Sequence, residues 1–139
     1  MCQYANVPMC QCNNVPIECI NILIMETGNI IVDLTFRFAL DILNFSGKLE
    51  EEKKYVIANQ LLRSGTSIGA NVKEAQNSES RADFIHKFKI AAKEAEETEY
   101  WLMLCNYADN YPFDETLMAK LKEIQKIINK IIYSTKQHT

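Results

Sequence analysis

Proline and glycine are scarce in this chain, with three and four residues respectively among 139. A fold of many short strands joined by tight turns needs more of both, so their scarcity points to long uninterrupted elements. Long apolar runs are missing too. None approaches the ~20 residues that would span a bilayer, which leaves no candidate membrane helix. The N-terminus has neither a basic n-region nor an Ala-x-Ala site, so it does not read as a secretory signal and the cytoplasm is the expected address. An excess of basic charge is also absent: the net charge is −3 and the pI about 5.4. Such a balance argues against a protein that coats nucleic acid non-specifically. What remains is ordinary for a single globular domain, 47% apolar and 24% charged,. A domain of this size buries ~68% of its unfolded surface, enough for a core without covalent staples.

Four of the five cysteines, Cys2, Cys10, Cys12 and Cys19, fall in MCQYANVPMCQCNNVPIECINILI together with Pro8 and Pro16. This segment has no lysine or arginine and no sustained helical period. Its cysteine gaps, C-x7-C, C-x-C and C-x6-C, do not match the C-x2-4-C pairs of zinc ribbons and fingers. A disulfide set is out of place in a cytoplasmic protein. Met25 opens METGNIIVDLTF and would serve as a native start. Residues 1–24 are therefore expected to be a poorly ordered N-terminal extension, and residues 25–139 the folded domain.

Beyond that segment the apolar residues recur at helical intervals. Helix 1 is expected from about Ile30 to Phe45. Asp33, Arg37, Asp41 and Asn44 share a narrow polar stripe, Phe36, Leu40 and Leu43 form one apolar face, and Ile31, Phe38, Ile42 and Phe45 form another. A helix of a monomeric bundle needs an apolar arc of only ~100°. This one is apolar round most of its circumference, as a helix buried twice would be. Ser46-Gly47 reads as its C-terminal stop. Helix 2 is expected to open near Glu50 to Glu52, acids suited to the positive end of the helix dipole, with an apolar stripe of Ile57, Leu61, Gly65, Ile68, Val72 and Ala75. Helix 3 opens at Ser80, an N-cap with Asp83 three residues on. Its core stripe is Phe84, Phe88, Ala91, Ala95, Leu102 and Cys105, and Ile90, Glu94, Glu97, Trp101 and Leu104 line a different side. Helix 4 follows the break at Asn110-Tyr111-Pro112, with Asp114 and Glu115 in its first turn. Its single apolar stripe of Leu117, Leu121, Ile124, Ile128 and Ile131 makes it read as outermost.

The most informative stretch is Gln60 to Ala75, QLLRSGTSIGANVKEA. It reads as one helix in spite of Gly65 and Gly69, each of which costs ~1 kcal/mol relative to alanine. Two such glycines ask for another backbone passing close by. Beside the apolar stripe runs a polar one of Gln60, Arg63, Ser67, Asn71 and Glu74. It reads as a paired network where helices or subunits meet, because such networks fix register; the alternative is a ligand clamp. With ADFIHKFKIAAKEAEETEYWL close behind, the stretch resembles the bacterial-type four-helix-bundle proteins encoded in 23S ribosomal RNA intervening sequences. It is similar, too, to the accessory variability proteins of diversity-generating retroelements. The resemblance covers roughly Asn29 to Thr135 and rests on the spacing of the glutamine, arginine, Ser67-Ile68, asparagine and glutamate. It implies an all-α, antiparallel up-down-up-down four-helix bundle that assembles into a homo-oligomeric ring, a homopentamer. Most members have no established activity.

Residues that could carry chemistry are few. Glu94 and Glu97 share a side at i,i+3, but a bundle-type di-metal site needs a Glu-x-x-His pair on each of two helices. Asp83-x-x-His86 is a single short-armed echo of that pattern, and His138 sits in the C-terminal tail. No metal or other cofactor is expected, and the acidic run suits either a solvated face or an Arg63–Glu97 contact between helices 2 and 3. Cys105, on the core stripe, reads as an inert buried thiol. No G-x-S-x-G, P-loop or dinucleotide fingerprint is present, so an enzyme is not expected. Lys122, Lys126 and Lys130 fall at i, i+4 and i+8 on the outer side of helix 4, and Lys89 and Lys93 pair similarly on helix 3. Either set could follow a phosphate backbone, or simply solubilise the outside. Retroelement relatives, as the resemblance implies, are basic and bind RNA and a reverse transcriptase, whereas this chain is acidic.

Two functions stay open at this level. One is an accessory module that holds structured RNA or an RNA–protein complex on an oligomeric ring. The other is a protein-binding scaffold oligomer with no nucleic-acid partner. In both, Phe36, Leu40 and Leu43 of helix 1 and Ile90, Trp101 and Leu104 of helix 3 are the candidate oligomer interface.

Overall fold

The computed structural model describes residues 27–138. Four helices follow one another: α1 (Ile30–Glu51), α2 (Tyr55–Ala75), α3 (Arg81–Tyr107) and α4 (Glu115–Gln137). α1 packs on α2, α2 on α3, α3 on α4, and α4 back on α1. Chain order is thus the order round an antiparallel four-helix bundle, as short connections between neighbours require. No strand occurs among the described residues. The expected N-terminal extension, with four of the cysteines, lies outside them.

The core takes one stripe from each helix. Phe38, Ile42 and Leu49 of α1 meet Leu61, Ile68 and Val72 of α2, Phe88 and Leu102 of α3, and Leu117, Leu121, Ile124 and Ile128 of α4. Each such side chain removed from water contributes ~1.5–3 kcal/mol. Of the two apolar faces of α1, the inward one carries Phe38 and Ile42, exposed by 1% and 0%. Phe36 and Leu43 on the other face stay 46% and 49% exposed. Small changes to the expected stripes follow from packing. Ala58 is buried where Ile57 is half-buried, and Thr98 fills the gap between Ala95 and Leu102. Thr98 is admitted because its hydroxyl lies 2.7 Å from Glu94 O and 3.0 Å from Ser64 Oγ, itself 2.9 Å from Gln60 O. Both buried hydroxyls thereby have partners, which removes the penalty for burying them.

Two expected boundaries are wrong. α1 does not stop at Ser46-Gly47 but continues to Glu51. Ser46 and Leu49 face the core, and Leu49 is fully buried, so ending at Gly47 would leave it in water. The stop is Lys53, at φ 62°. Its N–H donates to Glu50 O, and the Lys54 N–H to Leu49 O, both at 2.8 Å. That is the Schellman arrangement, with lysine where glycine is usual. Glu50 to Glu52 therefore sit at the end of α1, not at the start of the next helix, which opens at Tyr55. The later helices begin nearer to where the caps predict. Ser80 Oγ accepts from the Asp83 N–H at 3.1 Å, while Asp83 Oδ2 accepts from the Glu79 N–H at 3.3 Å. Asp114 is the N-cap of α4, not a first-turn residue, and accepts from the Thr116 N–H at 2.9 Å.

The contact between α1 and α2 depends on two glycines. A Cβ built on Gly65 would lie 2.9 Å from Cγ1 and Cγ2 of Ile42, and one on Gly69 would lie 3.3 Å from the carbonyl oxygen of Thr35. The first distance is closer than carbon atoms approach, and Ile42 is held by the surrounding core. Gly65→Ala is therefore expected to lower stability by ~1–2 kcal/mol, since overpacking outweighs the better helix propensity of alanine. Gly47, also helical, has open space where its Cβ would be, so Gly47→Ala is expected to raise stability by up to ~1 kcal/mol. Urea denaturation of the two variants checks the contrast, and equal effects of one sign would refute the close-approach account.

Candidate functional site

The polar stripe of α2 borders its buried stripe, so packing of α2 on α3 places it against the acidic run of α3. Arg63 Nη2 donates to Glu97 Oε1, and Arg63 Nη1 lies 3.7 Å from Glu94 Oε2. Glu97 Oε1 also accepts from the indole N–H of Trp101 at 3.2 Å. These two donors, Arg63 first, hold the Glu97 carboxyl below the usual carboxylate range, and the same bond raises the Arg63 guanidinium. At the other end of the stripe, Lys87 Nζ donates to Glu74 Oε2 at 2.7 Å, which raises the lysine. Between them Asn71 Nδ2 donates to Ser67 O at 2.9 Å. Arg63 and Glu74 thus tie α2 to α3 within one molecule. Gln60, Ser67 and Asn71 are half-buried beside them.

The candidate lysines separate into two kinds. Lys122 donates to Glu99, which also accepts from Gln125 Nε2 at 2.8 Å; the two donors, Lys122 first, hold the Glu99 carboxyl low. Lys122 is therefore a strut between α3 and α4. Lys126 and Lys130, one and two turns further along α4, are exposed, as are Lys89 and Lys93 on the neighbouring α3. None of these four has an ion-pair partner among the described residues.

Apolar groups are left in water on all four helices, Tyr55 and Val56 on α2 and Tyr133 on α4 among them, and two sets include the interface candidates. On α1 they are Phe36 and Leu43, with Leu40 half-buried. On α3, Leu104 is exposed, while Ile90 and Trp101 are half-buried. Trp101 is engaged by its bond to Glu97 and by an edge contact with Tyr100, ring centroids 5.1 Å apart. Three residues of this patch were missed in the sequence: Tyr100, Met103 and Tyr107, exposed by 56%, 45% and 79%. Their spacing with Leu104, i, i+3, i+4 and i+7, is a helical stripe that could have been read. Also missed was a groove of about 450 Å³ between α1 and α2, walled by Val32, Phe36 and Ala39 and floored by Gly69 and Ala70.

Groups for bond-making chemistry are sparse among the described residues. Cys105 is buried, and burial pushes its thiol up to about 11, far from a reactive thiolate,. No three His, Cys, Asp or Glu side chains gather in a metal-binding arrangement among the described residues. His86 is exposed, and Asp83 is occupied in the N-terminal cap of α3. No described helix is long and apolar enough to cross a membrane.

These features define an all-α four-helix bundle whose polar clusters join helices and whose remaining features are surfaces. The chain belongs to the 23S rRNA-intervening sequence protein family, whose profile matches residues 28–130. It is also similar to a protein of unknown function from the S23 ribosomal protein family of Bacteroides thetaiotaomicron, with a crystal structure at 1.70 Å resolution. The two share 45% identity with a TM-score of 0.70, over 73% of this chain and 97% of that one. No curated protein matches the chain.

The lowered carboxyls of Glu97 and Glu99 set an acid dependence. A carboxyl whose folded value lies below its unfolded one stabilises the fold above the unfolded value, and this contribution is lost as pH falls through the folded value. Glu97→Gln and Glu99→Gln are each expected to lose less stability than the parent between about pH 5 and pH 3. Urea midpoints across that range check this, and an acid limb unchanged in both variants would remove the pairs from the stability account.

Proposed function

We propose that this protein is a non-enzymatic, oligomeric helical-bundle module that holds structured RNA or an RNA–protein complex. The observation that carries the reading is the division of the lysines. Lys87, Lys120 and Lys122 are engaged in pairs between helices, whereas Lys89, Lys93, Lys126 and Lys130 are exposed on the adjacent α3 and α4. Exposed cations on neighbouring helices, with no ion-pair partner among the described residues, can replace counterions on a phosphate backbone,. Membership in a family named for 23S rRNA intervening sequences agrees with such a partner. A reverse transcriptase is a further candidate within an RNA–protein complex.

Assembly is part of the proposal. α1 and α3 occupy opposite corners of the bundle, so the patch of Phe36 and Leu43 is separate from that of Tyr100, Leu104 and Tyr107. Exposed apolar patches of this kind mark contact sites. Two unlike patches on different helices favour head-to-tail contact between copies, which closes into a ring when the rotation per subunit allows. A homopentamer is the ring proposed. Light scattering at micromolar concentration is expected to give a mass several times that of the 16.0 kDa chain. A monomer that stays soluble would overturn the assembly.

A second reading, a scaffold that binds proteins and no nucleic acid, is favoured by the net charge of −3. Anisotropy titration with a structured RNA hairpin at low and moderate salt separates the two. RNA holding predicts salt-sensitive binding that Lys126→Glu/Lys130→Glu weakens about tenfold or more, with the oligomeric mass unchanged. Absence of binding by the parent at low salt would overturn the RNA reading in favour of the scaffold.

A further inference from the structure

We propose that the outer line of α3 is a track for an unpaired RNA strand, on which Lys89 and Lys93 take phosphates and the rings of Tyr100 and Tyr107 each take a base. The inference rests on the RNA reading above and names the form of RNA that it leaves open. At ~100° per residue, these four positions fall within ~40° of one another round α3 and span ~27 Å of its length. All four side chains are exposed, Tyr100 by 56% and Tyr107 by 79%. Neither lysine has an ion-pair partner among the described residues. A single exposed ring is ordinary on a protein surface. Two rings in line with two unpaired cations are a pattern with a use, since cations follow a nucleic-acid backbone while rings stack bases of any sequence.

The rings decide the form of the RNA. In a duplex the bases are stacked on one another and offer no face to a side chain, whereas loops, bulges and ends can splay theirs out. Tyr100 is already set to receive one. Its ring meets that of Trp101 edge to face with centroids 5.1 Å apart, and the Trp101 indole donates to Glu97 at 3.2 Å. Less rotamer freedom is then lost when a base stacks on it. Glu96 is the adverse charge, exposed between Lys93 and Tyr100 and ~20° to one side of the line. Charge therefore holds the strand only at the Lys89–Lys93 end, and beyond Glu96 the contact has to be stacking. This takes Tyr100 and Tyr107 out of the contact between copies and leaves to it Leu104, ~40–60° further round α3.

The test is an anisotropy titration of the full chain with a short unpaired RNA strand and with the same sequence as a duplex. Both tyrosines are exposed, so their replacement leaves the core intact. Tyr100→Ala/Tyr107→Ala is expected to weaken binding of the unpaired strand about tenfold or more and of the duplex by less than about twofold. Tyr100→Phe/Tyr107→Phe keeps the rings and is expected to bind like the parent. Lys89→Gln/Lys93→Gln is expected to reduce the slope of log affinity against log salt by about 1.4 on the unpaired strand, a slope that the alanine pair leaves unchanged. Equal losses on strand and duplex, a loss in the phenylalanine pair as large as in the alanine pair, or an unchanged slope in the glutamine pair would each overturn the track and leave the RNA reading standing. No binding of either RNA by the parent at low salt sinks that reading and the track with it. Light scattering of the alanine pair is expected to give the parent's mass, and a drop in mass would overturn the track and assign the tyrosines to a second copy.

Discussion

The rest of the bundle depends on the close approach of α1 to α2 at Gly65 and Gly69. Ile42 lies against the bare backbone of Gly65, and the main chain of Thr35 passes Gly69. Two helical glycines cost ~2 kcal/mol in propensity relative to alanine. In return the helices come near enough for Ile42, Leu61 and Ile68 to be wholly removed from water, which more than offsets that cost. The contact also sets the rotation of α1. With Ile42 against α2, Phe38 must point inward, and Phe36 and Leu43 must point out. The groove floored by Gly69 and Ala70 arises from the same missing side chains.

A second layer fixes α3 against α2. Ser64 and Thr98 are fully buried and meet hydroxyl to hydroxyl, so a slip of one helix would leave a polar group unpaired in the core. Further out, Arg63, Glu97 and Trp101 continue the same line to the surface. Pairs exposed to this degree contribute little to stability. Their value lies in orientation: Arg63 is drawn down onto α3 and is not free to bind a partner. Lys122 and Glu99 do the same between α3 and α4. Of the polar stripe of α2, Arg63 and Glu74 thus link helices of the bundle.

The division of the lysines bears on function more than the fold does. A four-helix bundle hosts many activities, so function has to be argued from its sites. The described residues offer no activated nucleophile and no gathered metal ligands, but they offer exposed lysines on α3 and α4 and unlike apolar patches at opposite corners. Surfaces of this kind suit a protein that acts by holding others.

Four helices, their order and most of their buried stripes were legible in the sequence, because an apolar residue every three or four positions leaves few other readings. Gly65 and Gly69 signalled a close neighbour, and Arg63 with Glu97 was readable as a link between helices 2 and 3. The end of α1 was not. Ser46-Gly47 has the local chemistry of a stop, but Leu49 has a place in the core, and burial outweighs a glycine's weak preference. The acids Glu50 to Glu52 misled for the same reason, since dipole effects of ~0.3–1 kcal/mol do not decide where a helix begins. Which apolar face of α1 turned inward could not be read from spacing, as both faces satisfy it; the notch at Gly65 decided it. Only the tertiary structure separated Lys122 from Lys126 and Lys130, because their spacing is identical and what differs is Glu99 on the neighbouring helix.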